Sequence, residues 1–393
     1  MKKFIGWLLI PVWAFSSLAR ADYSEHPDAA EFIDSMVKTH QFSRIELTEW
    51  LSNAKKIDSI IAAMSRPAEK VKPWHEYRKH FISDQRISWG VDFWNEHNVV
   101  LQKAQQTLGV DSAVVVSIIG VETNYGRNVG NYRVIDALST LAFDFYRDIE
   151  PREKRRLFFT GELENLILIG RTQKVDPTSL MGSYAGAMGW GQFMPSSYRN
   201  YAIDFDQDGY ADIWKNPNDV IGSVANYLAQ HGWAAQKPIA IRASREEPTS
   251  EMIKSSAIVN YTVEPGDTLY SIAKKFGTEH YNLQKVNDLK NPNELFVGQD
   301  LTISSDVKIN ALTRPSKTIA ELKEAGFDTL EPAPSDIKAF PMKLDAGNKD
   351  EYWIGFNNFY VISRYNPRIK YAMAVYQLSE LIQNEYCAIK SKC

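Results

Sequence analysis

Cysteine is almost missing from this chain: two in 393 residues, Cys387 and Cys393, both at the C-terminal end. That scarcity excludes a disulfide-stapled scaffold and leaves at most one short-loop bridge, Cys387–Cys393, or two free thiols on the tail. Seven histidines with no clustered cysteine offer no transition-metal site. Charge of one sign is also lacking. The 45 Lys and Arg against 48 Asp and Glu give a net of −3, which argues against a dedicated nucleic-acid binder. Beyond Ala21 no run is apolar enough to cross a membrane as a helix. No Ser-His-Asp arrangement appears, and Gly186-Ala-Met-Gly189 is too short for a dinucleotide loop and follows no strand-like run. What is present is an ordinary globular balance, 44% apolar and 24% charged, with 12% aromatic residues. Aromatic clefts suit the C–H faces of sugar rings, although most aromatics are plain core.

Lys2 and Lys3 precede an apolar run from Phe4 to Leu18, and Ala19-Arg20-Ala21 supplies a small-x-small cleavage pattern. The run is shorter than the roughly 20 residues that span a bilayer as a helix. This reads as a signal peptide over 1–21 that yields a periplasmic or secreted chain from Asp22, with an uncleaved anchor as the other reading. No cysteine lies near the cleavage site, so a lipoprotein is not expected.

Residues 26 to 235 read as mostly helical, with periodic apolar runs over Phe42–Met64, Val91–Leu108, Ser112–Val121, Glu153–Gly170 and Asp219–His231. A polar stretch follows around 235–258 and reads as a linker. Residues 259–303 form a small unit, 304–335 read as a second Pro- and charge-rich connection, and 336–386 return to aromatic strands followed by a short helix. The tail is 387–393.

Val114-Val-Val-Ser-Ile-Ile-Gly-Val-Glu122 is an apolar helical run that ends on a carboxylate. Glu122 falls on the stripe of Ile118, Val115 and Val114. A carboxyl group in apolar surroundings has its charged form penalised, holds its proton near neutral pH and can serve as a general acid. The alternative is a glutamate that simply reaches water at the helix end. Further on, Asp204, Asp206 and Asp208 with Gly209 and the Tyr210 carbonyl match the start of a calcium-binding loop, but its twelfth position is Lys215 where a bidentate Glu is usual. A solvated acidic turn capping the helix at Asp219 is the alternative.

Two resemblances organise these observations. Tyr261-Thr-Val-Glu-Pro-Gly-Asp-Thr-Leu-Tyr-Ser-Ile-Ala-Lys-Lys-Phe-Gly277, with Leu283, Asn287 and Leu295-Phe-Val-Gly-Gln-Asp-Leu-Thr-Ile303, resembles a LysM module, a binder of N-acetylglucosamine-containing glycans. It reads strand, helix, helix, strand, with Asp267 or Thr268 capping the first helix. The resemblance implies binding through the loops around Gly266–Leu269 and Asn291–Phe296.

Gly120-Val-Glu-Thr-Asn-Tyr-Gly126 resembles the catalytic motif of the B-type lytic murein transglycosylases, of glycoside hydrolase family 103. The likeness continues through Ile135–Leu141, Phe159–Glu164, Gly182–Tyr198, Gly222–Tyr227, Asn358–Asn366 and Tyr371–Tyr376. The fold it implies is α+β: a mainly helical, lysozyme-like catalytic domain over 22–235 and 306–386 with a small β-containing C-terminal part, interrupted by a βααβ LysM domain at 259–303. The resemblance implies that Glu122 is the single acid/base cleaving the bond between N-acetylmuramic acid and N-acetylglucosamine with 1,6-anhydro ring closure. It makes Tyr77, Ser183, Gln192, Tyr227, Tyr365, Asn366 and Tyr371 cleft residues, and Lys154 and Arg155, with Phe158 beyond them, a basic pair near the peptide-bearing sugar. Each tyrosine could equally be core. In the acidic loop it makes Asp219 the closing carboxylate for a structural Ca²⁺ or Na⁺, with no cofactor needed for the chemistry. The partners expected are peptidoglycan glycan strands and other cell-wall enzymes, with no nucleic acid, for a monomeric chain. Two alternatives stand beside this one. A second working carboxylate among Asp136, Asp144 and Glu162 would make a hydrolase of the muramidase type, and a non-catalytic wall-binding scaffold would need no acid at all.

Overall fold

The computed structural model describes residues 23–65, 72–144, 152–246, 258–276, 280–291, 295–304 and 309–390. The expected signal peptide over 1–21, and Cys393 with its expected bridge to Cys387, lie outside the described residues. Two structural units emerge along the chain.

The first unit takes residues up to 66 together with 130–187 and 194–196. Its helices are Pro27–His40, Arg44–Ser52, Asp58–Ser65, Val134–Phe143 and Arg152–Gln173. Tyr132–Arg133 and Met181–Gly182 form a short antiparallel pair. The run expected over 42–64 is two helices, because Asn53 ends the first and a loop precedes Asp58. Every residue of Val134–Phe143 is buried, and the Arg152–Gln173 helix contributes Leu163, Leu166, Ile167 and Ile169 to the core.

The second unit takes 67–129, 188–193 and 197–393. Its helical part comprises Asp84–Leu108, Ser112–Thr123, Pro217–Gln230, Asn357–Tyr365 and Ile369–Lys390. Asp84–Leu108 starts earlier than its periodicity suggested because Ser83 caps it, and it is interrupted at His97 (φ −110°, ψ 20°). Ser117 Oγ donates to the Val375 carbonyl at 2.6 Å and ties Ser112–Thr123 to the last helix. That last helix is 22 residues long, not short as expected, and it buries Tyr371, Met373, Val375, Leu378 and Ile382 along one face.

A five-stranded antiparallel sheet runs in the order Lys317–Thr318, Lys338–Asp345, Asp350–Gly355, Ala240–Arg245, Phe327–Thr329. Three of these strands come from segments read as connections. Ile239, Ala240, Ile241 and Ala243 are buried, so 240–245 is a strand inside the expected linker. Ile319, Leu322 and Phe327 from the second expected connection pack with Ile241, Ala339, Ile354 and Phe356. Thr318 and Glu321 form a reciprocal capping box at the helix between them.

Within this unit residues 258–304 have an apolar cluster of their own: Val263, Leu269, Ile272, Ala273, Leu283, Leu301 and Ile303. Strands Ile258–Thr262 and Asp300–Ser304 pair antiparallel around helices Leu269–Phe276 and His280–Val286. Thr268 Oγ1 accepts the Ser271 N–H at 3.0 Å, and Ser271 Oγ accepts the Thr268 N–H at 2.9 Å. Asp267 instead holds the turn, accepting from the Tyr261 hydroxyl at 2.6 Å and the Glu264 N–H at 2.9 Å. Among the described residues no single helix is long and apolar enough to cross a membrane.

Candidate active site

Helix Ser112–Thr123 is buried at every position except Glu122, which stays partly exposed. The helix ends in a left-handed turn of three residues, Asn124 (φ 52°), Tyr125 (φ 60°) and Gly126 (φ 81°). Asn124 N–H donates to the Gly120 carbonyl at 3.1 Å and Tyr125 N–H to the Ile119 carbonyl at 3.3 Å, closing the last turn with paired bonds. Two non-glycine residues in this region are costly and persist only when their surroundings hold them. Arg86 supplies part of that hold. Its Nε donates to Asn124 Oδ1 at 2.7 Å, and its Nη2 reaches the same oxygen. The Tyr125 hydroxyl donates to the Arg86 carbonyl at 2.9 Å, and its ring lies against Gly120. A Cβ on Gly120 would sit 2.5 Å from the Tyr125 hydroxyl, which is why only glycine fits there.

Thr123 Oγ1 donates to the Trp190 carbonyl at 2.9 Å and accepts the Gly126 N–H at 3.0 Å. The Trp190 indole N–H in turn donates to the Trp214 carbonyl at 2.8 Å. Glu122 is thereby held at the end of a rigid element rather than on a loose loop.

Among the described residues the Glu122 carboxyl has one side-chain hydrogen bond, from the Tyr371 hydroxyl to Oε1 at 2.6 Å. Burial pushes its pKa up to about 7, against the pull of the Tyr371 bond toward the charged form. Burial and the neighbouring Glu122 charge push the Tyr371 and Tyr365 phenols well up, so both stay protonated donors. Tyr365 donates to the Gly191 carbonyl at 2.6 Å and Tyr227 to the Arg364 carbonyl at 2.6 Å. The Tyr227 and Tyr365 rings are 4.7 Å apart and edge-on, although they flank the inserted unit in sequence. Gln192, in the left-handed region at φ 52°, donates its amide N–H groups to the Gly189 carbonyl at 3.0 Å and the Val129 carbonyl at 3.3 Å. Tyr77 lies in the short helix Trp74–Tyr77, 5.1 Å from the Phe81 ring, partly exposed. Burial raises its pKa, with the Arg368 charge opposing and the Glu122 charge adding. Asn366 follows directly on helix Asn357–Tyr365 and is partly exposed.

Glu122, Tyr77, Gln192, Tyr227, Tyr365, Asn366 and Tyr371 therefore all belong to the second unit. Ser183, Lys154 and Arg155 belong to the first. There Ser183 Oγ accepts the Ala187 N–H at 3.0 Å and closes a tight turn. Lys154 is exposed and Arg155 partly so, beside the half-exposed Phe158 (50%) and Leu157 (56%).

The three other carboxylates that sequence reasoning raised are all buried and all committed. Asp136 accepts both arms of the Arg133 guanidinium at 2.8 and 2.6 Å and the Lys55 N–H at 2.8 Å. Asp144 pairs with Lys56 at 3.0 Å. Glu162 accepts the Ser196 N–H at 2.8 Å and the Ser196 hydroxyl at 2.6 Å. These are load-carrying partners of the first unit, not free bases.

In the second unit Asp204, Asp206, Asp208 and Asp219 bring carboxylate oxygens within 4.8 Å of one another. Asp219 is fully buried and accepts the Phe205 N–H at 2.7 Å and the Asp212 N–H at 2.8 Å. Burial, with Asp206 and Asp204 adding, pushes its pKa up. Four crowded hard oxygens with no cation paired to them among the described residues are a donor set that fits a hard oxygen-seeking ion.

Sequence reasoning did not single out Arg86, Thr123, Asn124 or Trp190. Arg86 lies 38 residues from Asn124 and carries no local signature. Trp190 sat inside a quoted motif, but its role is to brace the loop behind Gly126, which spacing cannot reveal.

A largely helical fold with a carboxyl of raised pKa set among phenols is the arrangement of a glycan-cleaving enzyme of the lysozyme-like class. A family model of the transglycosylase SLT domain matches residues 24–268, and a LysM model matches 261–304. The membrane-bound lytic murein transglycosylase B of Escherichia coli (strain K12) is 36% identical over 386 residues, covering 96% of this chain and 88% of that protein. The crystal structure of soluble lytic transglycosylase SltB1 from Pseudomonas aeruginosa aligns with a TM-score of 0.70 and 41% identity, over 91% of this chain and 99% of that one. The Escherichia coli lytic transglycosylase Slt35 in complex with calcium aligns with a TM-score of 0.70 and 35% identity, over 93% and 95%. The chain belongs to the transglycosylase SLT family.

Proposed function

We propose that this chain is a peptidoglycan lytic transglycosylase in which Glu122 is the single acid/base. The observation that carries the reading is the Glu122 carboxyl itself, held by the Tyr371 hydroxyl at 2.6 Å with its pKa raised to about 7. A protonated Glu122 delivers its proton to the glycosidic oxygen as the muramoyl C1–O bond breaks. The resulting carboxylate then takes the proton from the muramoyl C6 hydroxyl, whose oxygen bonds to C1 and closes the 1,6-anhydro ring. The nucleophile is part of the substrate, so proximity replaces the second carboxylate of ordinary glycosidases. Tyr77, Gln192, Tyr227, Tyr365, Asn366 and Tyr371 would line the sugar sites around it. Ser183, Lys154 and Arg155 remain substrate-binding candidates on the strength of the resemblance.

The unit over 259–303 serves as a wall tether that interrupts a catalytic domain spanning 22–235 and 306–386. Exposed Tyr270 (69%), Phe296 (70%) and Val297 (66%) support this reading, since such apolar side chains on a small domain are ready contacts for acetamido sugars. A second weak glycan contact raises local substrate concentration without touching the chemistry. The acidic loop takes Ca²⁺, with Na⁺ as the weaker option, as a structural ion held by Asp204, Asp206, Asp208, the Tyr210 carbonyl and Asp219. The chain acts in the cell envelope after cleavage near Ala21.

Mass spectrometry of soluble products from purified peptidoglycan tests the reading. Products with 1,6-anhydromuramic ends, absent with Glu122→Gln while wall binding persists, are expected. Reducing ends would mean hydrolysis, and wall binding without products would mean a scaffold.

A further inference from the structure

Beside Tyr77 the second unit gathers cations that form no ion pair among the described residues. Lys72 Nζ donates to His80 Nε2 at 2.9 Å, and Lys370 Nζ donates to the Lys72 carbonyl. Arg78 lies 5.9 Å from the Trp74 ring centre. Lys370 directly precedes Tyr371, whose hydroxyl donates to Glu122 Oε1 at 2.6 Å, and the Arg368 and Glu122 charges act in opposite senses on the Tyr77 hydroxyl. Among the described residues none of Lys72, Arg78, Arg368 and Lys370 stands in an ion pair. Glu76 and Asp345 each lie 3.8 Å from a His75 ring nitrogen, and the Asp345 charge also acts on Lys370 without a direct ion pair. Lys72 and Arg368 are exposed. Lys370 is partly withdrawn from water, a position whose cost to an ammonium shows in its lowered pKa.

A surface lysine is ordinarily a solvated charge. Two cations bonded to an imidazole nitrogen and a backbone carbonyl, with no ion pair among the described residues and one of them next to the tyrosine that meets Glu122, are an arrangement that an anionic ligand would complete. We propose that Arg368, Lys370, Lys72 and Arg78 form a subsite for a carboxylate that the substrate carries close to the bond being cut. Peptidoglycan offers two such sources on the muramoyl sugar: the lactyl carboxylate of a bare strand, and the free carboxylates of an attached stem peptide. This inference rests on the proposed function. The step of one residue from Lys370 to Tyr371, which meets Glu122, favours substrate over any distant polyanion.

The test uses the full mature chain carrying Arg368→Gln and Lys370→Gln together, and soluble glycan strands with stem peptides or stripped of them by an amidase. For the parent, KM rises with ionic strength as the contact is screened. In the double variant KM is expected to rise about tenfold at low salt, the equivalent of one lost charge-assisted hydrogen bond. Its kcat stays within about twofold and its salt dependence flattens. Arg368→Lys with Lys370→Arg restores most of the parent's KM, which separates charge from packing. A rise confined to stripped strands identifies the lactyl carboxylate, a rise confined to peptide-bearing strands identifies the stem, and a rise on both shows that the strip takes either. Unchanged KM on both, or a fall in kcat alone, overturns the proposal. The role of Glu122 is scored on turnover and anhydro products, so either inference can fail without the other.

Discussion

Helices Val134–Phe143 and Ser112–Thr123 are both buried along nearly their whole length, and each carries one acid into that setting. Asp136 is met by a two-armed guanidinium and a backbone N–H. Glu122 is met by a single phenol hydroxyl. The same kind of group in the same kind of surroundings therefore has opposite uses. Where full charge compensation is supplied, the acid holds two segments of chain together. Where it is withheld, the proton stays on at neutral pH and becomes available for chemistry. The difference lies in what the neighbouring segments of chain bring, not in the two helices themselves.

The comparison is broken most directly by exchanging acids for amides on both sides. Glu122→Gln should lower turnover by about a thousandfold or more, because it removes the only general acid. Glu162→Gln should leave turnover per folded molecule near the parent's while lowering stability. Rates from anhydro-product release, normalised to folded protein, read both. Loss of turnover in folded Glu162→Gln would place a second carboxylate in the reaction.

On the structural side, Asp136→Asn strands the Arg133 guanidinium against Asn53 and a neutral amide. Arg133 keeps 30% exposure, so the expected loss is about 2–3 kcal/mol, below that of a fully buried pair. Denaturant melts measure it. A change under about 0.5 kcal/mol, the range of ordinary surface substitutions, would show that the pair is not stabilising.

The acidic loop lies between these extremes, with acids crowded together and no cation paired to them among the described residues. Chelator treatment should lower the melting temperature by roughly 5 °C at saturating calcium, as expected for an ion bound only by the folded state. Asp219→Asn should abolish that difference. Equal melts with calcium and with chelator would leave the loop as a self-capped turn.

How far the sequence carried this picture depended on range. Helix Ser112–Thr123 and the buried setting of Glu122 were legible because one element's spacing defines them. The unit over 258–304 was legible because its strand pairing, cap and core are all local. The strand Ala240–Arg245 was hidden, since its inward residues are two alanines and an isoleucine alternating with Arg242 and Ser244, a weak pattern beside a polar stretch. The length of the final helix was hidden by its polar outer face and by Asn366-Pro367 just ahead of it. Tyr371, 249 residues from Glu122, was reachable only through family resemblance. Arg86 was not reached at all, because a side chain that props a turn leaves no periodic trace.

The finest adjustment of the comparison is the one bond Glu122 does have. The Tyr371 hydroxyl favours the ionised carboxylate and so holds the Glu122 pKa below where burial alone would set it. Glu122 must be protonated to act, so kcat/KM should fall as pH rises through about 7. Tyr371→Phe removes the opposing bond, so the pKa rises and the alkaline limb of kcat/KM moves to higher pH by about half a unit to one unit. The same shift has a stability side with a fixed sign. A carboxyl raised above its ordinary 4.5 binds more protons folded than unfolded in between, so its contribution is intact at low pH and is lost as pH rises toward 7. Glu122→Gln cannot ionise and should therefore melt above the parent at pH 8, with the gap closing toward pH 5. A gap that is equal at both values would mean that Glu122 ionises in the fold as easily as in water, and the contrast with Asp136 would then lie in partners alone.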